Sequence, residues 1–205
     1  MRVLITGFGP FPGAPSNPSA ALAKILARRR RPALAGIERA THVFATTYAS
    51  VDRDLPKLFA QQPDIVLMFG LAGRRRHVCI ETRARNAVTV LFPDASGYRP
   101  QQGAIKRGGS AARRGNAPFA ALAGATRTAK FPARASRDAG RYLCNYLYWR
   151  ALERTGRKPL AQFIHIPPLG NKLRRKNATK SRPTLAQLLE TAEALLLALV
   201  AASRR

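Results

Sequence analysis

The chain has 205 residues, 46% of them hydrophobic, which suits one domain spanning 1–205 with a sizeable core and argues against intrinsic disorder. Its two cysteines are too few for a disulfide framework and sit in apolar segments, which fits a reducing, cytoplasmic setting. Lys and Arg outnumber Asp and Glu by 36 to 10, a formal charge of +26, so nonspecific polyanion binding is expected.

In chain order, "RVLITGF" reads as a buried first strand, and the apolar run at the N-terminus is too short for a signal peptide. After a Gly/Pro loop, "PSAALAKILARRR" has helical spacing at Ala21, Leu22, Ile25 and Leu26 and a basic end favourable at a helix C-terminus. "THVFATTYA" is β-branched and aromatic, a strand signal. "VDRDLPKLFAQQ" predicts a helix in which Pro56 takes an early position. "DIVLMFGLA" is a buried strand and "HVCIETRARNA" a further extended segment. Over 93–125 the pattern dissolves, which predicts a long loop. A helix follows in "RYLCNYLYWRALE", then a short strand in "AQFIHIPP", ended by prolines. The last helix opens with the capping-box pair Thr184 and Gln187. Gln187, Glu190 and Glu193 keep its uninterrupted apolar run short of the roughly 20 residues of a membrane span, so no membrane is expected. Alternating strands and helices predict an α/β fold with a mostly parallel sheet.

The basic residues cluster only at 28–31, 74–76 and 99–114, with no aromatic-interleaved motif, zinc-finger spacing or repeat beside them. That pattern favours a solvated basic surface over sequence-specific nucleic-acid binding. "GFGPFPG" sits where a dinucleotide fingerprint would, but Pro12 replaces the third glycine and 28–31 is basic where an acid belongs. No cofactor is expected there. Phe8 and Phe11, on a stiff turn at a strand's C-terminal end, either form an apolar slot or plug the core.

Cys144 is either a small core residue or a nucleophile, and a partner histidine with an orienting group would decide for chemistry. Of the three histidines, His42 has nothing nearby to give it a role. His77, Cys79 and Glu81 share a strand face but lack paired zinc spacings, so no metal is expected. His165 stands at the tip of a buried strand, where sites in such sheets assemble. Glu81 is the lone acid between Asp64 and Asp94. It would orient an imidazole or else pair with Arg83 or Arg85.

"VLITGFGPF…NPS", a segment ending in Glu81, "SRDAGRYLCN" and "FIHIP" occur in that order over Val3 to Pro167 and resemble the pyroglutamyl peptidase I family of cysteine peptidases. The resemblance implies an α/β/α sandwich that assembles as dimers or tetramers and removes N-terminal pyroglutamate from peptides without metal or cofactor. It implies Cys144 as nucleophile, with its pKa lowered by a helix start and a histidine, His165 as base and acid, and Glu81 as orienting carboxylate. It places Phe8, Phe11, Asn17, Leu71, Tyr142 and Leu143 at the substrate. Leu91 stands where the family has an arginine near the oxyanion and Leu71 where it has a glutamine; "PPLGN" replaces a tyrosine-containing turn.

Overall fold

Runs of Val, Ile, Leu and Phe form strands here because both faces of the sheet are covered. Strands β1 (Arg2–Phe8), β2 (Glu38–Phe44), β3 (Ile65–Leu71) and β8 (Leu160–Ile166) pair in parallel, and β4 (Val78–Glu81) with β7 (Ala133–Ser136) completes a six-stranded sheet in the order β2-β1-β3-β8-β4-β7. β4 runs antiparallel to β8, with Cys79 opposite His165. A separate antiparallel pair joins β5 (Arg83–Arg85) to β6 (Ala112–Arg114). The computed structural model describes residues 1–11, 15–127, 129, 131–170 and 182–205; Pro12 of the first loop and Asn171 after β8 lie outside them.

The two-residue period of each strand splits the core into two layers. Val3, Ile5, Leu67, Phe69, Ile164 and Ile166 face helices α1 (Pro18–Arg28), α3 (Phe119–Ala125) and α5 (Leu185–Ser203). Leu4, Phe8, Val66, Met68, Ala161 and Phe163 face α2 (Tyr48–Ala60) and α4 (Leu143–Leu152). This is the expected α/β/α sandwich. Residue 165 follows 163 on the second face, so the layer holding α4 is the one that meets the imidazole.

Several local expectations are corrected. On α1 the buried stripe is Ser19, Leu22, Ala23 and Leu26, while Ala21 faces solvent and Ile25 is 40% exposed. The register is set where α1 starts. A Cβ on Gly7 would lie 2.5 Å from the Ser19 carbonyl oxygen, so Ser19 presses against β1 and turns Ile25 outward. The second helix starts at Tyr48, capped by the Thr47 side chain, so Pro56 lies inside it. The carbonyl that proline leaves unpaired belongs to Asp52, on the solvent side. Segment 93–125 is not all loop, since it contains β6 and α3, and β7 follows it. Strands of three or four residues and a helix of about two turns are too short to show a clear period.

The last helix has the length and mean hydropathy of a membrane span, although Gln187, Glu190 and Glu193 interrupt its apolar run as noted from the sequence. Its apolar stripe, from Leu188 and Ala192 to Leu199 and Val200, is nevertheless part of the core against the sheet. The capping box at Thr184 and Gln187 forms as expected, each side chain bonding the other's backbone.

Candidate active site

Three elements converge on one face of the sheet. β8 delivers His165, which is 5% exposed, and the end of β4 delivers Glu81, which has no exposed surface. His165 Nδ1 lies 2.8 Å from Glu81 Oε1. An ionised carboxylate only accepts, so Nδ1 carries a proton, and whenever the ring is neutral it is Nε2 that holds the free lone pair. The carbonyl of Glu81 accepts from Tyr148 Oη at 3.0 Å and Gln162 Nε2 at 2.8 Å, which pins the strand end beneath the carboxylate.

Cys144 is the second residue of α4, whose N-cap Tyr142 makes no side-chain capping bond. The thiol sits over β3. A Cβ on Gly70 would lie 2.6 Å from Cys144 Sγ and 2.7 Å from Phe163 Cζ. Gly70 is the register partner of His165 in the neighbouring strand. Paired residues of a ladder project to the same face, so thiol and imidazole share one side of the sheet. The next residue fixes the helix start: Asn145 accepts from the Arg85 amide and donates to the carbonyls of Arg85 and Ala87, each at 2.8 Å.

Burial acts on all these groups. It pushes the Cys144 thiol up to about 12, the Glu81 charge adding to the rise against Arg75 and the local backbone. The expected lowering by the helix start is therefore outweighed, because desolvation disfavours the thiolate more than a half-turn of amides favours it. For Glu81 burial also acts upward, but the His165 hydrogen bond and charge, the Ser136 hydroxyl and the Arg75 charge together hold the carboxyl below its usual range.

The alternative pairing of Glu81 with Arg83 or Arg85 is not what forms. Arg83 Nε donates to the Arg137 carbonyl and Arg85 Nη1 pairs with Asp138 at 3.1 Å. Arg75 takes the place instead, with Nη1 2.7 Å from Glu81 Oε1. Sequence reading registered Arg75 only as part of a basic run. Gly70 was legible as a glycine inside an apolar strand, a known sign of close approach, and went unused. His42, left without a role, lies 3.3 Å from Asp54 Oδ2 and edge-on to Phe44.

The residues expected at the substrate are spread more widely. Phe8 is buried at 2% exposure and packs on Phe44, while Phe11 is partly exposed. Asn17 spends its side chain on the loop, capping Ser19 and donating to the Gly9 carbonyl at 3.0 Å. Ser19 Oγ accepts from the Phe8 amide, so that amide is not free to hold a phosphate. Leu71 ends β3 beside Ile166. Tyr142 Oη donates to the Pro93 carbonyl at 2.8 Å, and Leu143 is a core residue at 1% exposure. Leu91, at 71% exposed, and Phe92 lie on a loop tied to Arg141 and Tyr142. A cleft of 480 Å³ lies elsewhere, lined by Tyr48, Asp52, Tyr98, Ile105 and Tyr146 among others. Among the described residues no three His, Cys, Asp or Glu side chains are grouped to hold a metal; Glu81 is committed to His165 and Arg75 instead.

Known proteins share this fold. The family model described as Pyroglutamyl peptidase matches residues 1–205. The pyrrolidone-carboxylate peptidase of Thermococcus onnurineus is 35% identical over 93% of this chain and 92% of its own. That of Thermococcus kodakarensis is 36% identical over 82% of this chain and 81% of its own. A mutant pyrrolidone carboxyl peptidase from Pyrococcus furiosus superposes with a TM-score of 0.87 at 26% identity, covering 99% of this chain and all of that one. The Thermococcus litoralis enzyme gives 0.85 at 27%, over 98% and 93%. Fold and relatives together define the chain as a cysteine peptidase. Within that class it belongs to the pyroglutamyl peptidase family.

Proposed function

We propose that this protein, with residues 1–205 working as one domain, hydrolyses the bond after an N-terminal pyroglutamyl residue through Cys144, His165 and Glu81. The observation that carries the reading is the buried 2.8 Å bond from His165 Nδ1 to Glu81, on the face where Cys144 Sγ abuts Gly70. Glu81 holds the imidazole in the tautomer whose Nε2 accepts a proton and stabilises the imidazolium that results.

With its pKa raised to about 12, the thiol rests neutral at physiological pH. The chemistry therefore begins with proton transfer from Sγ to His165 Nε2 as sulfur attacks the pyroglutamyl carbonyl carbon, not from a standing thiolate. The imidazolium then gives that proton to the departing amine as the C–N bond breaks, leaving a thioester on Cys144. Water, deprotonated by the same nitrogen, attacks the thioester and releases pyroglutamate and the thiol. The Cys144 amide, at a helix start with no side-chain cap, is the donor placed for the oxyanion. No guanidinium stands at Leu91, and a missing oxyanion donor costs about 10² to 10³ in rate. Arg85 is engaged by Asp138, and Arg99 and Arg107 face solvent.

Phe8, Phe11, Asn17, Leu71, Tyr142 and Leu143 are proposed to form the lactam site, Asn17 by holding the loop and Leu143 through its backbone. A lactam carries no terminal cation, so an aromatic, uncharged lining suits it. The setting is proposed to be the cytoplasm, supported by two free thiols, and the assembly a dimer or tetramer, supported by the exposed Val90, Leu91 and Phe92. The test is turnover of a pyroglutamyl–aminocoumarin by folded protein, with a panel of other acyl-amides beside it. Cys144→Ser should abolish it and Cys79→Ser should not; the reverse result ends the reading.

A further inference from the structure

Arg75 bonds three residues around the site without taking part in the proposed reaction. It leaves the end of β3 on a short loop, and its guanidinium returns to the sheet between β4 and β7. One nitrogen, Nη1, donates to Glu81 Oε1 at 2.7 Å and to Ser136 Oγ at 3.1 Å. The other, Nη2, donates to the Asp138 carbonyl at 2.5 Å. Ser136 ends β7 and Asp138 lies in the turn that runs on to Tyr142, the N-cap of α4. The same fork thus grips the carboxylate and the segment that leads to the thiol.

Both grips answer a physical need. Glu81 has no solvent contact, and among the described residues its Oε2 finds no hydrogen-bond partner. A carboxylate so placed would protonate unless a cation stood beside it. Protonated, it would lose its claim on the Nδ1 proton, and the imidazole could present the wrong nitrogen to sulfur. The turn before α4 contains Gly140, at φ 83°, and its last residue makes no side-chain cap. Its position is anchored from outside by Arg83 on the Arg137 carbonyl, by Arg85 on the Asp138 carboxylate and by Arg75 on the Asp138 carbonyl, and of these only Arg75 also holds Glu81.

We infer that Arg75 is a positioning residue of the active site: its guanidinium keeps Glu81 ionised and aimed at His165 while fastening the 136–138 segment that sets Cys144. The inference rests on the proposed roles of those three residues. Arg75 does not touch the reacting atoms, so its removal lowers kcat more than it changes KM.

The titratable or charged groups around the pair are His165 from β8, Cys79 on β4, Cys144 and Tyr148 from α4, Arg134 from β7, and His77 before β4. A pH profile of activity mixes several of these, so Glu81 should be read directly. The experiment compares wild type, R75Q and R75K by turnover of the pyroglutamyl–aminocoumarin and by the ¹³C carboxyl resonance of Glu81, assigned through its absence in Glu81→Gln.

R75Q should lose about 10²-fold or more in kcat with KM within about threefold, and its Glu81 resonance should titrate at higher pH than in wild type. R75K keeps the charge but not the two-sided fork, so Glu81 should titrate near its wild-type value while kcat recovers only in part. Either R75Q readout left at its wild-type value overturns the inference. If R75Q does not fold, R75K decides: full wild-type kcat overturns the need for a fork, and reduced kcat with wild-type-like Glu81 titration supports it. Turnover retained in Cys144→Ser would instead remove the underlying reading, while the Glu81 titration would still report on Arg75.

Discussion

The two halves of the site are built differently. On the side of β4 and β8, Glu81, His165 and Arg75 are buried or half-buried and joined through the Glu81 carboxylate, the first two carried on strands. On the side of the first loop and the 89–98 segment, Phe8 is packed into the core, Phe11 is partly open, and Leu91 and Phe92 project into solvent. The groups proposed to react are held by the fold itself, whereas the surfaces proposed for the lactam and the leaving peptide belong to turns. A scaffold of this kind can change what it binds through its loops without disturbing its proton transfers.

That contrast can be tested from its strongest consequence downward. Replacing Cys144 by Ser or His165 by Ala should cut kcat/KM by about 10⁴ or more with the fold intact, as seen by circular dichroism; a smaller loss would mean the anchored half is not where chemistry occurs. Glu81→Gln leaves the volume but removes the charge. A loss of about 10³ to 10⁴ in kcat is expected, with little change in KM. Gly70→Ala sets a methyl 2.6 Å from Cys144 Sγ, so displacement of the thiol should cost about 10² in kcat. Wild-type kcat in that variant would show that the sulfur has freedom to move.

The thiol itself supplies a pH test. With its pKa raised from 9.0 to about 12, the thiolate fraction at neutral pH is small and grows as pH rises. In a Cys79→Ser background, alkylation by iodoacetamide should still be accelerating above pH 9, and a plateau below pH 7 would mean a preformed thiolate–imidazolium pair. The smallest effect is expected on the loop side. Asn17→Ala removes a helix cap and the tie to Gly9, for about 1 kcal/mol of stability in urea unfolding, with KM affected more than kcat.

Much of the anchored half was readable from sequence, and the reason is local. Buried strands and amphipathic helices carry their periods in the chain, Cys144 and His165 sit in short motifs, and Glu81 is the lone acid between Asp64 and Asp94. Arg75 was not readable, because its role depends on a loop folding back so that residues 75, 81, 136 and 138 meet. The start of α2 was misplaced because Thr47, its cap, lies in a β-branched stretch that also suits a strand. β6 and β7 escaped because three or four residues show no period. In the loop half, Phe8 illustrates the remaining ambiguity: an aromatic at a strand end can serve a core or a ligand, and here its ring packs on Phe44.

The reversal of β4 has one more consequence. By running against β8 it brings its final acid up under the imidazole with no face toward bulk water, whereas most of the described basic side chains are exposed to the ionic atmosphere. Dissolved ions weaken charges they can approach and scarcely affect those they cannot. Raising sodium chloride should therefore strip polyanions from the exterior while leaving turnover of an uncharged substrate almost constant, dividing one molecule into a salt-sensitive shell and a salt-blind centre.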